Sequence, residues 1–151
     1  YSHTWRTVLC FDNGNHRASP PATKMPPELC YSRAVEYEVD GTNGTVRQVW
    51  EYGKDREDRL FSVYVGGARR LTATGNVLID FGGIVRNASG AYQENPGGGV
   101  GEARVVEVTG EAAPEVVFEL AIARQSESGG GWDAYRAARV QDLFNEGSTP
   151  K

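Results

Sequence analysis

The sequence predicts an all-β fold of short antiparallel strands, and three observations carry that reading. Apolar and acidic residues alternate in runs such as Val35-Glu36-Tyr37-Glu38-Val39, the two-residue period of a half-buried strand. The runs are punctuated by turn sequences such as Asp40-Gly41-Thr42-Asn43-Gly44, whose glycine and asparagine accept the backbone that hairpins need. The two halves of the chain also look like copies of one pattern.

In order, residues 7–11 form a compact strand that ends in the turn Asp12-Asn13-Gly14-Asn15. Residues 19–27 carry four prolines, and proline cannot donate to a ladder, so this stretch reads as a loop. A hairpin follows, with residues 32–39 and 46–52 as its strands. A second hairpin spans 68–71 and 76–81, and the glycine-rich residues 82–101 read as a long loop. Residues 104–108 and 115–120 form a third hairpin. The last periodic piece, 132–140, fits strand or helix by pattern, its alanines leaning weakly towards helix.

The copies can be aligned. Ser32-Arg33-Ala34-Val35-Glu36 matches Ala103-Arg104-Val105-Val106-Glu107 at a displacement of about 71 positions, and Cys10-Phe11-Asp12 matches Leu78-Ile79-Asp80 at about 68. Repeated four-stranded antiparallel units are the mark of a β-propeller. On this reading the chain is one propeller segment, about two four-stranded blades of an incomplete ring. Residues 1–53 form a partial blade, 66–122 a full blade and 132–144 a closing segment. A blade must stack on neighbours, so apolar outer faces are expected, covered by further blades of a longer polypeptide or of other chains. A compact β-sandwich made from the same strands is the alternative.

Composition limits the function classes. A formal net charge of −4, with 16 basic residues dispersed among 20 acidic ones, gives no basic stripe for nucleic acid. No apolar run approaches the ~20 residues of a membrane-spanning helix. With two cysteines and two histidines in the whole chain, no metal-ligand spacing arises. Cys10 and Cys30 are either two thiols or one disulfide. They are expected on neighbouring strands, within reach of each other.

Two strings carry a family resemblance. The first is Phe11-Asp12-Asn13-Gly14 with Arg17, followed by Tyr31-Ser32-Arg33-Ala34-Val35-Glu36-Tyr37 and the segment from Val46 to Gly53. The second is Gly66-Gly67-Ala68-Arg69-Arg70-Leu71 with Gly75-Asn76-Val77-Leu78-Ile79, closing on Tyr135-Arg136-Ala137. In this order they resemble the later blades of the aryl-sulfate sulfotransferases, over nearly the whole chain. The resemblance implies a six-bladed propeller, exported to the periplasm or secreted. It implies sulfuryl transfer from an aryl sulfate to a phenol through a sulfated histidine, without a cofactor.

The residue types suit that chemistry. An imidazole nitrogen that attacks sulfur splits one hard step into two. The planar fork of arginine fits the oxygens of the transferring group. By position, His3 matches the catalytic histidine before the Phe11–Gly14 string. Arg17 matches the substrate-binding arginine after it, and Asn13 belongs to the same binding turn, where it either touches substrate or holds the backbone. Against the family pattern, about five residues are missing between His3 and the strand, and no histidine follows His16. The isolated chain is therefore expected to lack useful transferase activity, and the alternative to an enzyme fragment is a non-catalytic secreted propeller piece with a binding or structural role.

Overall fold

The computed structural model describes residues 6–123 and 130–140. Within them the fold is all-β. The elements are β1 (Arg6–Asp12), a short 3-10 turn (Pro27–Leu29), β2 (Arg33–Asp40), β3 (Thr45–Tyr52), β4 (Ser62–Tyr64), β5 (Gly67–Arg70), β6 (Val77–Arg86), β7 (Val100–Val108) and β8 (Val116–Ile122). They form two open antiparallel sheets, β1-β2-β3 and β4/β5-β6-β7-β8, as partial propeller blades do.

The second sheet is a meander. Strands β4 and β5 both lie on the same edge of β6, with Ser62 opposite Ile84 and Gly67 opposite Asp80. They are one bent strand, broken at Val65 and Gly66, both of which have positive φ. Counted so, the first sheet is a partial blade of three strands and the second a four-stranded blade whose edge strand is broken in two. β5 and β7 flank β6 and both run antiparallel to it, which is the blade order.

The sheets share one core. Leu9 and Phe11 of β1, Ala34 of β2 and Trp50 of β3 pack with Ile79, Phe81, Val106 and Val108 of the second sheet. The Phe11 and Phe81 rings meet edge to face, centroids 5.4 Å apart, the arrangement their quadrupoles favour. Trp50 is buried and its indole N–H donates to the Glu111 carbonyl at 2.9 Å, so it anchors packing as its type suggests. The outer rim is apolar and exposed: Val8, Val46 and Val49 on the first sheet, and Val116, Val117, Phe118 and Leu120 on β8.

Residues 130–140 are neither strand nor helix but an extended strap. It lies on the face of the second sheet that looks away from the first. The Trp132 amide donates to the Gly101 carbonyl at 3.0 Å and the Ala134 amide to the Gly82 carbonyl at 2.9 Å. Gly82 is required for this contact, since a Cβ there would stand 1.8 Å from the Ala134 oxygen. Trp132 and Tyr135 themselves point outward, 59% and 74% exposed, so neither is the packing anchor its residue type suggests.

The Cys10–Cys30 disulfide is not formed; both thiols are free. The reason is the two-residue period of β1. Leu9 and Phe11 turn towards the core, so Cys10 between them turns away and rests against the Val35 carbonyl. Cys30 ends the 3-10 turn, fully buried in the core, and rests against the Met25 carbonyl.

Candidate functional site

The turn after β1 is the most elaborately bonded part of the chain. Asp12 begins it: Oδ1 accepts the Gly14 amide at 2.9 Å, the local bond that aspartate offers a turn. Gly14 follows with φ +75° and is buried; a Cβ there would stand 2.1 Å from the Tyr31 carbonyl and 3.0 Å from Arg17 Nη2. Gly14→Ala is therefore expected to cost about 1–3 kcal/mol in backbone strain alone and to push Arg17 out of place. Urea unfolding checks this, and a loss below about 0.5 kcal/mol would contradict it.

Arg17 is held on three sides. Its Nη2 donates to Asp12 Oδ2 at 3.1 Å and to the Tyr31 carbonyl at 3.2 Å. Its guanidinium lies over the Tyr31 ring, 4.0 Å from the centroid. Its Nε is buried and has no hydrogen-bond partner among the described residues. Arg33 reaches Asp12 Oδ2 at 3.0 Å from the other side and Glu51 at 2.5 Å, tying β1 to β3 across β2. For Asp12, burial would raise the pKa, but the bonds from Arg33 and Gly14 and the charge of Arg17 outweigh it, and the carboxyl sits below its ordinary value. The group is an ion-paired chain in which Asp12 is the shared acceptor of two guanidinium groups.

Asn13 faces the second sheet. Its Nδ2 donates to the Ser62 carbonyl at 2.8 Å and the Val65 carbonyl at 2.9 Å, which fixes the break between β4 and β5. Ser32 Oγ donates to the Asn13 carbonyl at 2.7 Å and accepts the Ser62 amide at 2.8 Å. Ser62 Oγ in turn accepts the Gly83 amide at 2.8 Å. Both serines are fully buried, and such a network is stable only when every member is satisfied. Asn13 is thus joined to backbone of the neighbouring sheet, and the turn that carries Arg17 is locked to it.

Of the residues singled out in the sequence, Asn13 and Arg17 come together in this turn, while His3 lies outside the described residues. His16 is exposed with φ 58°. Ser32, Ser62 and Asp80 were not singled out. Two serines give no pattern in a sequence, but an aspartate inside the apolar run Val77-Leu78-Ile79-Asp80-Phe81 is a usable signal. Asp80 is 2% exposed and neither carboxylate oxygen has a partner among the described residues; burial pushes its pKa up to about 6. A cavity of about 650 Å³ lies elsewhere, between residues 48–58 and the β7–β8 turn.

The described residues contain no helix long and apolar enough to cross a membrane. Comparison with known proteins supplies the family. A segment of 80 residues is 41% identical to the arylsulfate sulfotransferase AssT of Escherichia coli O6:H1, covering 52% of this chain and 13% of that protein. A segment of 57 residues is 49% identical to the arylsulfate sulfotransferase AssT of Lelliottia amnigena, covering 37% of this chain and 9% of that one. The matches thus span only a small part of the relatives' length. The family model for arylsulfotransferase matches residues 2–133, most of the chain, and this chain belongs to that family.

Proposed function

We propose that the chain is part of a protein that moves a sulfuryl group from an aryl sulfate to a phenol. On this reading the Asp12–Arg17 turn holds the sulfuryl group and His3 receives it. The observation that carries the reading is Arg17: a guanidinium fixed by Asp12, the Tyr31 carbonyl and the Tyr31 ring, whose buried Nε has no hydrogen-bond partner among the described residues. A fixed cation needs no reorganisation as charge spreads over the transferring oxygens. In the reaction a neutral imidazole nitrogen of His3 attacks sulfur, the S–O bond to the first phenol breaks and that phenol leaves with the bonding pair. A second phenol, giving up its proton, attacks the sulfur of the sulfohistidine and frees the imidazole. Asn13 acts by holding the turn against the second sheet. The remaining blades of a six-bladed ring supply the rest of the site and cover the apolar rim, and the compartment is periplasmic or extracellular.

Arg17 is the place to test this. Binding of 4-nitrophenyl sulfate by the chain is expected to weaken by tenfold or more in Arg17→Ala. Arg17→Lys is expected to restore little of it, because a point charge replaces a planar fork. Equal binding by all three proteins would remove Arg17 from the site. Steady turnover by the isolated chain is expected to be negligible, since His3 and His16 are its only histidines. Robust transfer between phenols, abolished by His3→Ala, would show that no further blade is needed.

A further inference from the structure

Beneath the strap two acids are buried side by side and meet different fates. Leu78 lies opposite Glu107 and Asp80 opposite Val105 in the β6–β7 register, so both acids share the face that the strap covers. Glu107 is satisfied: Arg139 of the strap reaches it at 2.5 Å and Asn76 Nδ2 at 2.8 Å. Asp80 is as deeply buried, yet neither oxygen has a partner among the described residues. Burying an unpaired carboxylate is costly, so Asp80 favours a polar partner.

The surroundings of Asp80 say which kind. It lines a cavity of about 230 Å³ with Gly66, Gly67, Ala68, Arg69, Leu78, Arg136 and Ala137. Arg136 stands three residues before Arg139 on the same strap, but where Arg139 closes on its acid, Arg136 leaves open space. Arg69 and Arg136 make no ion pair among the described residues. The Ala134 carbonyl oxygen is a close neighbour of Asp80 Oδ2: the two lie 1.8 Å and 3.2 Å from the point where a Gly82 Cβ would stand. A carboxylate with a carbonyl beside it calls for a group with several N–H donors. Two arginines in the same cavity wall call for an anion.

The geometry points to a binding site for a small zwitterion of amino-acid size, its ammonium on Asp80 and the Ala134 carbonyl and its carboxylate on Arg136 and Arg69. Nothing in this depends on sulfuryl transfer, because Asp80 lies on the face of β6 opposite to Phe81 and the Arg17 turn. The charged groups around the site are Arg69 on β5, Arg136 on the strap, and the Glu107–Arg139 pair beside it. With Glu107 already paired, Asp80 is the acid whose protonation governs binding. Since its carboxyl is held near pH 6, the ammonium end is gripped above that pH and released below it.

The test is a titration of the full chain with glycine and β-alanine at pH 7.5, followed by NMR, with methylammonium and acetate as half-ligands. The expected result is saturable binding of a zwitterion, at least tenfold weaker for either half-ligand, for Asp80→Asn and for Arg136→Ala. Binding is expected to weaken about tenfold from pH 7.5 to pH 5. Since Asp80→Asn also removes an unsatisfied charge, the unliganded variant is expected to melt higher than the parent. No saturation at millimolar concentration, acetate binding as well as glycine, or full binding by Asp80→Asn would each overturn the assignment. So would a lower melting temperature for unliganded Asp80→Asn. Arg136 is exposed, so Arg136→Ala and the pH series of the parent read the site without altering the buried acid.

Discussion

Phe81→Ala is expected to bring the chain to the edge of unfolding at room temperature. Phe81 is completely buried and is one of the two largest side chains that are fully buried. Removing a buried phenylalanine costs about 3–5 kcal/mol through lost transfer energy and the cavity left behind. The edge-to-face contact with Phe11 contributes about 0.5–1.5 kcal/mol beyond its area. A typical domain has only about 5–15 kcal/mol of net stability. Urea unfolding of the variant is the check, with a large fall in midpoint expected. A loss under about 1 kcal/mol would mean that the two sheets do not depend on a common core.

Stability is expected to fall as pH rises from about 4 to about 7, the reverse of ordinary acid unfolding. The cause is Asp80, whose folded pKa is raised by burial from 3.8 to about 6. Below the unfolded value the carboxyl is protonated in both states and costs nothing. Between the two values the folded state holds the proton more tightly, and each step upward in pH weakens it. Above about 6 the penalty is complete, on the order of 2–3 kcal/mol. Asp12 acts in the other direction, because its lowered pKa gives stability that is lost only as pH falls below about 4. Thermal melts of the parent and of Asp80→Asn separate the two. The variant should lose the decline between pH 4 and 7 and keep the acid limb. A parent that is more stable at pH 7 than at pH 5 would contradict a buried, unpaired Asp80.

The hairpins were legible because their signal is local. Residues 32–39 and 46–52 were expected as strands, and β2 and β3 occupy Arg33–Asp40 and Thr45–Tyr52. Glycine misled at 82–101. It was read as loop, yet β6 runs through Gly82 and Gly83 to Arg86, and β7 begins at Val100. There glycine marks close approach and not chain reversal: Gly82 meets Ala134, and Gly83 meets the Tyr64 carbonyl, which would lie 2.2 Å from a Cβ. Both contacts join residues far apart in sequence, so no local pattern announces them.

The repeat was visible, but its alignment at the first strand was one residue out. The register sets Cys10 opposite Val35 and Ile79 opposite Val106, so with Val35 matched to Val106 it is Ile79 that corresponds to Cys10, and Asp80 to Phe11. A slip of one moves a side chain to the other face of the sheet, and it takes the cross-strand register to place it. Asn13 and Arg17 were named through the string that carries the family resemblance, and the structure brings both into one turn. The locking serines and the orphaned Asp80 depend on cross-sheet packing that only the folded chain displays.

The most direct measurement of the central claim is peptide mapping of the chain after exposure to excess aryl sulfate at alkaline pH. Sulfuryl transfer through the segment that precedes β1 predicts a single sulfated peptide containing His3, absent in His3→Ala and strongly reduced in Arg17→Ala. Label spread over tyrosines and lysines, or label on His3 that persists undiminished without Arg17, would contradict the account.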